Sequence, residues 1–322
     1  MVEGELMKKK ILICGATGFI GRNMVEYFAS LENYDVIAIS NKRAEFKDSR
    51  IRWVKADLTS THDVYAVVKD VDVIIQAAAT TSGSKDIITK PFIHTTDNAV
   101  MNSLIFRAAH EHGVKHIVFF SCTVMLQSSD QALTEDDFDA NQPIHPRYFG
   151  VGWTKVYLEK MCEFYAGLGK TKYTAIRHSN IYGPHDKYDL ERSHVFGATV
   201  TKVMSAKDKI TVWGTGEEAR DLLYVSDLTD FVHKAIEHQK NQYELFNCGA
   251  GNAVRIKDLV LKMVEKSGKK LSIDHDLSQP SIPTSLFLDC SKAKKILGWS
   301  PAIQLEEGIE RTLKWYRSNF NG

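Results

Sequence analysis

The chain has 322 residues, 43% of them apolar, and a formal net charge of +1. It is long enough to bury one large core or two closely joined ones, and it lacks both the basic surplus of a nucleic-acid-binding surface and an acidic tail. The five cysteines, Cys14, Cys122, Cys162, Cys248 and Cys290, are dispersed without CxxC or metal-ligand spacing, as expected of reduced thiols in a cytoplasmic protein that holds no metal.

No stretch is apolar for long enough to span a membrane, and the lysine-rich start does not read as a secretory signal. Neither a membrane nor a nucleic acid is expected as a partner. Residues 1–6, ahead of a second methionine at Met7, read as a loose tail or an added leader.

The first element in chain order is a short apolar run, Ile11 to Cys14, that reads as a buried parallel strand. Gly15-Ala-Thr17-Gly18-Phe19-Ile20-Gly21 follows, then an amphipathic run from Asn23 to Leu31. Strand, glycine-rich turn and helix together present free backbone N–H groups and a positive helix end to a pyrophosphate. The glycines permit the tight turn, the close approach of phosphate and the close packing of helix on strand. Gly15 and residues 17–21 are therefore candidate contacts for a dinucleotide.

Asp35 to Ser40 reads as the second strand. An acid at its end would bind both ribose hydroxyls of NAD and repel a 2′-phosphate. The chain instead has Ser40-Asn41-Lys42-Arg43. The two cations favour NADP(H), with NAD(H) the alternative and a merely solvated basic loop the plainer reading. A third strand begins at Arg52 and exits at Asp57-Leu58, beside the adenine position. The fourth, Val71 to Ala78, has a tail, Ala77-Ala78-Ala79, small enough for a cofactor to lie across it. Helical patterns over Phe92 to His112 and Arg147 to Leu168 alternate with strands Ile117 to Ser121 and Tyr173 to Arg177. This alternation predicts an α/β fold with a doubly wound parallel sheet of Rossmann type.

The remainder is more polar, with helices expected at His194 to Met204, Leu228 to His238, Ile256 to Ser267, Ser291 to Leu297 and Leu305 to Asn319. Residues 1–180, with return segments around 222–255, are expected to form the dinucleotide-binding domain. Residues 181–221 and 256–322 are expected to form a smaller C-terminal lobe that shapes a substrate cleft at the carboxyl ends of the strands.

Several motifs then converge: Gly15-x-x-Gly18-x-x-Gly21, Asp57-Leu58, Asn98, Lys155, Asn180-Ile-Tyr-Gly-Pro184, Arg220-Asp-Leu-Leu-Tyr-Val-Ser-Asp227 and Leu297-Gly-Trp-Ser-Pro301. Over nearly its whole length the chain resembles the extended short-chain dehydrogenase/reductases that act on nucleotide-diphosphate sugars. The stretch from Asn180 to His194 and Val195 is similar to the sugar loop of the family's epimerase/reductases for GDP-linked keto sugars. The resemblance implies an NAD(P)-dependent oxidoreductase or epimerase, a GDP-sugar as substrate, and a homodimer formed through a four-helix bundle. It also places Asn98, Lys155, His178 and Ile181 against the cofactor. Asn180, His194, Val195, Lys202, Trp213 and Arg220 fall against the sugar nucleotide. Trp213 and Trp299 otherwise read as core aromatics.

In the resembled family a Tyr-x-x-x-Lys pair shares one helix face, and the lysine lowers the tyrosine pKa so that the phenol exchanges a proton with the sugar. Lys155 matches the lysine, but the tyrosine position is Val151. The family's hydroxyl residue at the preceding strand end falls on Cys122, or on Ser121 or Thr123 one residue either side. The cysteine expected two residues later falls on Val124, while its partner histidine matches His194. Three readings follow. Tyr148, seven residues before Lys155, reaches the sugar through an irregular helix start. Alternatively Cys122, Thr123, His178 or His194 carries the proton. Otherwise the protein is a catalytically silent NAD(P)-binding sugar-nucleotide protein.

Overall fold

The computed structural model describes residues 8–80, 91–190, 193–278 and 284–320; the expected tail at residues 1–6 lies outside them. In chain order the strands are β1 (Lys9–Cys14), β2 (Tyr34–Ser40), β3 (Ile51–Lys55), β4 (Val73–Gln76), β5 (His116–Phe120), β6 (Lys172–His178) and β7 (Asn180–Tyr182). They continue as β8 (Lys209–Trp213), β9 (Ala219–Arg220), β10 (Leu222–Tyr224), β11 (Tyr243–Cys248), β12 (Val254–Arg255) and β13 (Ser272–Asp276). Seven of them form one parallel sheet in the order β11-β6-β5-β4-β1-β2-β3. The order reverses between β1 and β4, which opens a crevice at their carboxyl ends.

Alternation along the strands feeds two cores. Ile11 and Ile13 of β1 face one side, with Met24 and Phe28 of the Phe19–Ala29 helix and Phe231 of the Val225–His238 helix. Leu12 and Cys14 face the other, with Phe106 of the Pro91–His112 helix and Leu158 and Cys162 of the Phe149–Gly167 helix. Because successive side chains of a strand point to opposite faces, strands covered on both faces read as unbroken apolar runs. Burial pushes the Cys14 thiol up to about 12, so it serves as a small apolar group. A third core, around Tyr182, Phe196, Leu259 and Leu313, lies among the C-terminal elements.

The structure differs from the sequence reading in three places that matter for the site. The first helix starts at Phe19 rather than Asn23, because Gly18 caps it with extended backbone. The helix expected from Arg147 is split: Pro146–Tyr148 is a 3-10 turn and the α-helix begins at Phe149. The Ser291–Leu297 helix and Trp299, assigned from sequence to the smaller lobe, pack in the core of the sheet. There the fully buried Trp299 ring meets Phe231 edge-on at 4.9 Å and its Nε1 donates to the Asp227 carbonyl at 3.0 Å.

Candidate functional site

The glycine turn is built against the tail of β4. Gly15 has φ +71°, and a Cβ on it would lie 2.7 Å from the Ala78 backbone; a Cβ on Gly21 would lie 2.1 Å from the Gly15 carbonyl oxygen. The Gly18 N–H donates to that same carbonyl at 2.9 Å, which closes the turn. Thr17 sits at its tip, and Phe19 and Ile20, the first two helical residues, pack their side chains inward on the core. The first-turn N–H groups that no helical carbonyl can reach are left at the crevice. This cradle, which side chains would fill, fits a dinucleotide pyrophosphate.

The other wall of the crevice is clamped from behind. Asn98 is buried; its Oδ1 accepts the Thr80 N–H at 2.9 Å, and its Nδ2 donates to the carbonyls of Thr80 at 3.2 Å and His94 at 2.7 Å. Gln76 donates to Asn102 Oδ1 at 3.0 Å and accepts the Ala78 N–H at 3.3 Å. Ala77, Ala78 and Ala79 thus form a fixed shelf. Asn98, expected to touch the cofactor, holds the shelf instead, since both amide hydrogens are engaged by backbone.

At the end of β2, Asn41, Lys42 and Arg43 are exposed. The Ser40 hydroxyl donates at 2.7 Å to Glu45, so an acid does stand at this strand end, folded back from five residues downstream. Sequence reading missed it because it looked only at the residues immediately after β2. Asp57 accepts the N–H and hydroxyl of Thr59 at 2.9 and 2.7 Å. These bonds, with a smaller contribution from Lys42, hold its carboxyl below the usual range. Leu58, expected beside the adenine, has its side chain buried in the core with Val64 and Ile37; only its backbone lies at the strand exit.

Across the sheet, the Phe149–Gly167 helix brings Lys155 to the end of β5, where its ammonium donates to the Phe120 carbonyl at 2.7 Å. Burial lowers its pKa. Cys122 stands beside it; burial raises the thiol pKa against the opposing pull of Lys155. Thr123 follows in the turn, its carbonyl accepting the Leu126 N–H at 3.0 Å. Ser121 is removed from candidacy as a proton carrier: it is buried and its hydroxyl donates to Glu159 at 2.5 Å. Glu159 is itself paired with Arg177 at 2.7 Å. Glu159 lies one helical turn beyond Lys155, the only sequence signal for this pair.

Two histidines close the site. His178 Nδ1 lies 2.8 Å from the Ser179 carbonyl, so that nitrogen carries the hydrogen and Nε2 is free to accept. Burial pushes His178 down to about 4, and it feels both Lys155 and His194. His194 is the N-cap residue of the Val195–Ser205 helix and stays solvent-exposed; partial desolvation and the nearby Lys187 lower its pKa. Val195 packs into the smaller core, and Ile181 is buried in the core of the sheet, so its side chain is directed away from the crevice.

The smaller lobe supplies the remaining groups. Asn180 donates through Nδ2 to the Asp221 carbonyl at 3.2 Å. Asp221 is buried and accepts the N–H groups of Ala250 at 2.7 Å and Leu288 at 3.1 Å; it organises loops rather than touching ligand. Arg220 donates to the carbonyls of Ala219 and Thr284 and faces the Tyr148 phenol. Lys202 lies 5.0 Å over the ring of Trp213 and donates to the Thr211 carbonyl at 2.9 Å. Lys202, Thr211 and Trp213 line a cavity of about 300 Å³, which Arg220 and Asn180 do not reach. Trp213 is 47% exposed, which overturns its reading as a core residue: it ends an edge strand where only one face is covered.

The sugar loop is docked onto the glycine-turn helix. Asn23 donates to the Pro184 carbonyl at 2.9 Å, and His185 pairs with Glu26 at 3.2 Å. A second cavity, of about 330 Å³, opens where this loop meets Thr17, Gly18, Arg22 and Trp315, with Asp186 on its wall. Among the described residues no group of histidine, cysteine and acid side chains is placed to hold a metal ion, and no helix is long and apolar enough to cross a membrane.

A parallel sheet with a glycine cradle at its switch point, a buried lysine at the end of β5 and a second lobe facing them define a dinucleotide-dependent enzyme. The chain belongs to the NAD dependent epimerase/dehydratase family, whose model matches residues 11–249, and its cofactor is an NAD(P) dinucleotide. It is 31% identical over 330 residues to the putative GDP-L-fucose synthase 2 of Arabidopsis thaliana, covering 99% of this chain and 96% of that one. It is 26% identical to the GDP-L-colitose synthase of Yersinia pseudotuberculosis, covering 97% and 99%. Among solved structures, the UDP-glucose 4-epimerase of Thermotoga maritima matches with a TM-score of 0.85 at 24% identity, over 96% of this chain and 99% of that one.

Proposed function

We propose that the chain is an NADP(H)-dependent epimerase/reductase acting at C4 of a keto sugar linked to a nucleoside diphosphate, GDP being the favoured nucleotide, with epimerisation at C3 or C5 as further chemistry of the same cleft. One observation carries the reading. His178, at the carboxyl end of β6, feels the charge of both Lys155, carried by the Phe149–Gly167 helix, and His194, which comes from the smaller lobe. Groups suited to hold a cofactor and groups suited to move protons therefore meet in one crevice beyond the glycine cradle. The full-length relatives named as GDP-L-fucose and GDP-L-colitose synthases support GDP as the nucleotide.

In this reading the glycine cradle holds the pyrophosphate and Lys155 the nicotinamide ribose. When bound, the dinucleotide exchanges a hydride with the sugar carbon. Arg220 neutralises the substrate diphosphate, for which its planar donor fork is suited, with Lys202 beside the exposed Trp213 face. His194 supplies or removes the proton in epimerisation, and Asn180 orients the sugar. Residues 1–180 with 222–255 act as the cofactor domain and the remaining segments, less the Ser291–Leu297 helix, as the sugar lobe. The protein works in the cytoplasm as a homodimer.

Val151 favours a second reading, a silent NADP(H)-binding protein. Loss of reduced-nicotinamide absorbance against GDP-, UDP- and dTDP-linked 4-keto sugars tests the choice. Turnover with the GDP sugar is expected. Tight binding of cofactor and sugar nucleotide without turnover would establish the silent form.

A further inference from the structure

Building on the C4 reduction proposed above, we propose that Tyr148, which packs on the same buried cluster as Cys122 at the exit of β5, is the group that gives the sugar C4 oxygen its proton. The position one helical turn before Lys155 is Val151, which has no proton to give. Were residues 148–155 one regular helix, Tyr148 would lie about 10 Å along the axis from Lys155. They are not: Tyr148 ends a 3-10 turn and has φ −106° and ψ 4° where the α-helix begins. The Tyr148 ring packs on the buried cluster of Met125, Leu126, Ile144 and Leu288, against which Cys122 also packs.

The helix start is wedged in place, so this position is fixed. A Cβ on Gly150 would meet Thr95 Oγ1 at 2.6 Å, and one on Gly152 would meet Ile144 at 3.0 Å. Both glycines bring the segment close to its neighbours. The Lys155 ammonium lies at the end of β5, bonded to the Phe120 carbonyl at 2.7 Å. Lys155 and Cys122 act on each other electrostatically, and Tyr148 feels both Cys122 and Arg220. Burial raises the Tyr148 phenol pKa and the guanidiniums of Arg220 and Arg147 oppose that rise.

Three of the other candidate donors are less suited. His178 is uncharged at neutral pH, and its one N–H is directed to the Ser179 carbonyl. Ser121 is committed to Glu159. A buried thiol such as Cys122 is a weak donor. In the step itself C4 gains a hydride from the reduced dinucleotide and the carbonyl π pair moves onto O4. O4 takes the phenolic proton, and the phenolate, eased by the long-range field of the Arg220 guanidinium, is reprotonated by solvent. The ketone is reduced to an alcohol and the dinucleotide oxidised.

The test uses the full chain with NADPH and a GDP-4-keto-6-deoxy sugar. Tyr148→Phe should lower kcat by about 10²–10⁴ while leaving the Kd values for NADPH and GDP, read by calorimetry, within about twofold, as expected for a proton donor that contributes nothing to ground-state binding. In the Arg220→Gln variant the alkaline limb of kcat should shift upward in pH, because the phenolate loses its cation. A Tyr148→Phe variant with unchanged kcat, or with its whole loss in KM, overturns the inference and leaves the proposed function standing. A wild-type protein that binds both ligands but never turns over overturns the proposed function and this role together.

Discussion

Arg177 of β6 and Glu159 of the Lys155-bearing helix form an ion pair at 2.7 Å, with both side chains 4% exposed. A second bond, from Arg177 Nε, closes the pair at 3.0 Å, and Ser121 donates to the same carboxylate. Removing one partner of a buried pair strands the other charge in a medium of low dielectric. Glu159→Ala should therefore lower the unfolding free energy by about 3–5 kcal/mol in urea titration. Replacing both partners by apolar residues of similar volume should cost less than either single change. A Glu159→Ala loss under about 1 kcal/mol would mean that the pair is solvated, against its burial.

Cofactor choice rests on two opposed features at the end of β2. Arg43 and Lys42 favour a 2′-phosphate, while Glu45, oriented by Ser40 at 2.7 Å, favours free ribose hydroxyls. Arg43→Ala should weaken NADPH binding by about tenfold or more, as expected for loss of a charge-assisted bond, with a much smaller effect on NADH. Glu45→Gln should act in the opposite sense. Equal affinity of the parent protein for NADPH and NADH would count against the NADP(H) assignment.

Asp186 carries a pH dependence. One of its oxygens accepts the Lys187 N–H at 2.7 Å; the other is buried with no partner among the described residues. Burial pushes this carboxyl up from 3.8 to about 7. The folded state thus binds a proton that the unfolded state has already released between these two values, so stability falls as pH rises from about 4 to about 7. Asp186→Asn should flatten this slope and raise the melting temperature at pH 8 while changing little at pH 4. Parallel pH–melting curves for the two proteins would show that the carboxylate finds water or another partner.

The proposed homodimer has a candidate surface. The helices Pro91–His112 and Phe149–Gly167 pack on each other and leave Val100, Tyr157 and Phe164 exposed. Exposed apolar side chains on a packed helix pair are what a docking face would present. Light scattering should give twice the chain mass at micromolar concentration, and Phe164→Glu should shift it toward the monomer. A monomer mass for the parent would rule out the bundle.

Much of the framework was legible because it is local. The apolar runs from Ile11 and from Ile117 predict buried parallel strands. Gly15, Gly18 and Gly21 predict the turn, since a tight turn of this kind constrains residue type at each step. The lysine at 155 and the motif at 220 were legible through the family resemblance. The 3-10 turn at Pro146–Tyr148 lay at the limit of such reading: proline at its first position was visible, but the direction in which it turns the next aromatic ring was not.

What the sequence by itself determined was the order of strands and helices, the dinucleotide cradle and the set of candidate polar groups, because backbone conformation and period are written in neighbouring residues. What only the tertiary structure decided was which of those groups face the crevice. Ser121 is taken by Glu159, Asn98 by the backbone of Thr80 and His94, and Leu58 by the core, while Trp213 is left exposed and Glu45 is brought back to β2. Nearly all of these outcomes depend on partners distant in the chain, and burial assigns each polar group to the nearest partner that can satisfy it, which no local pattern encodes.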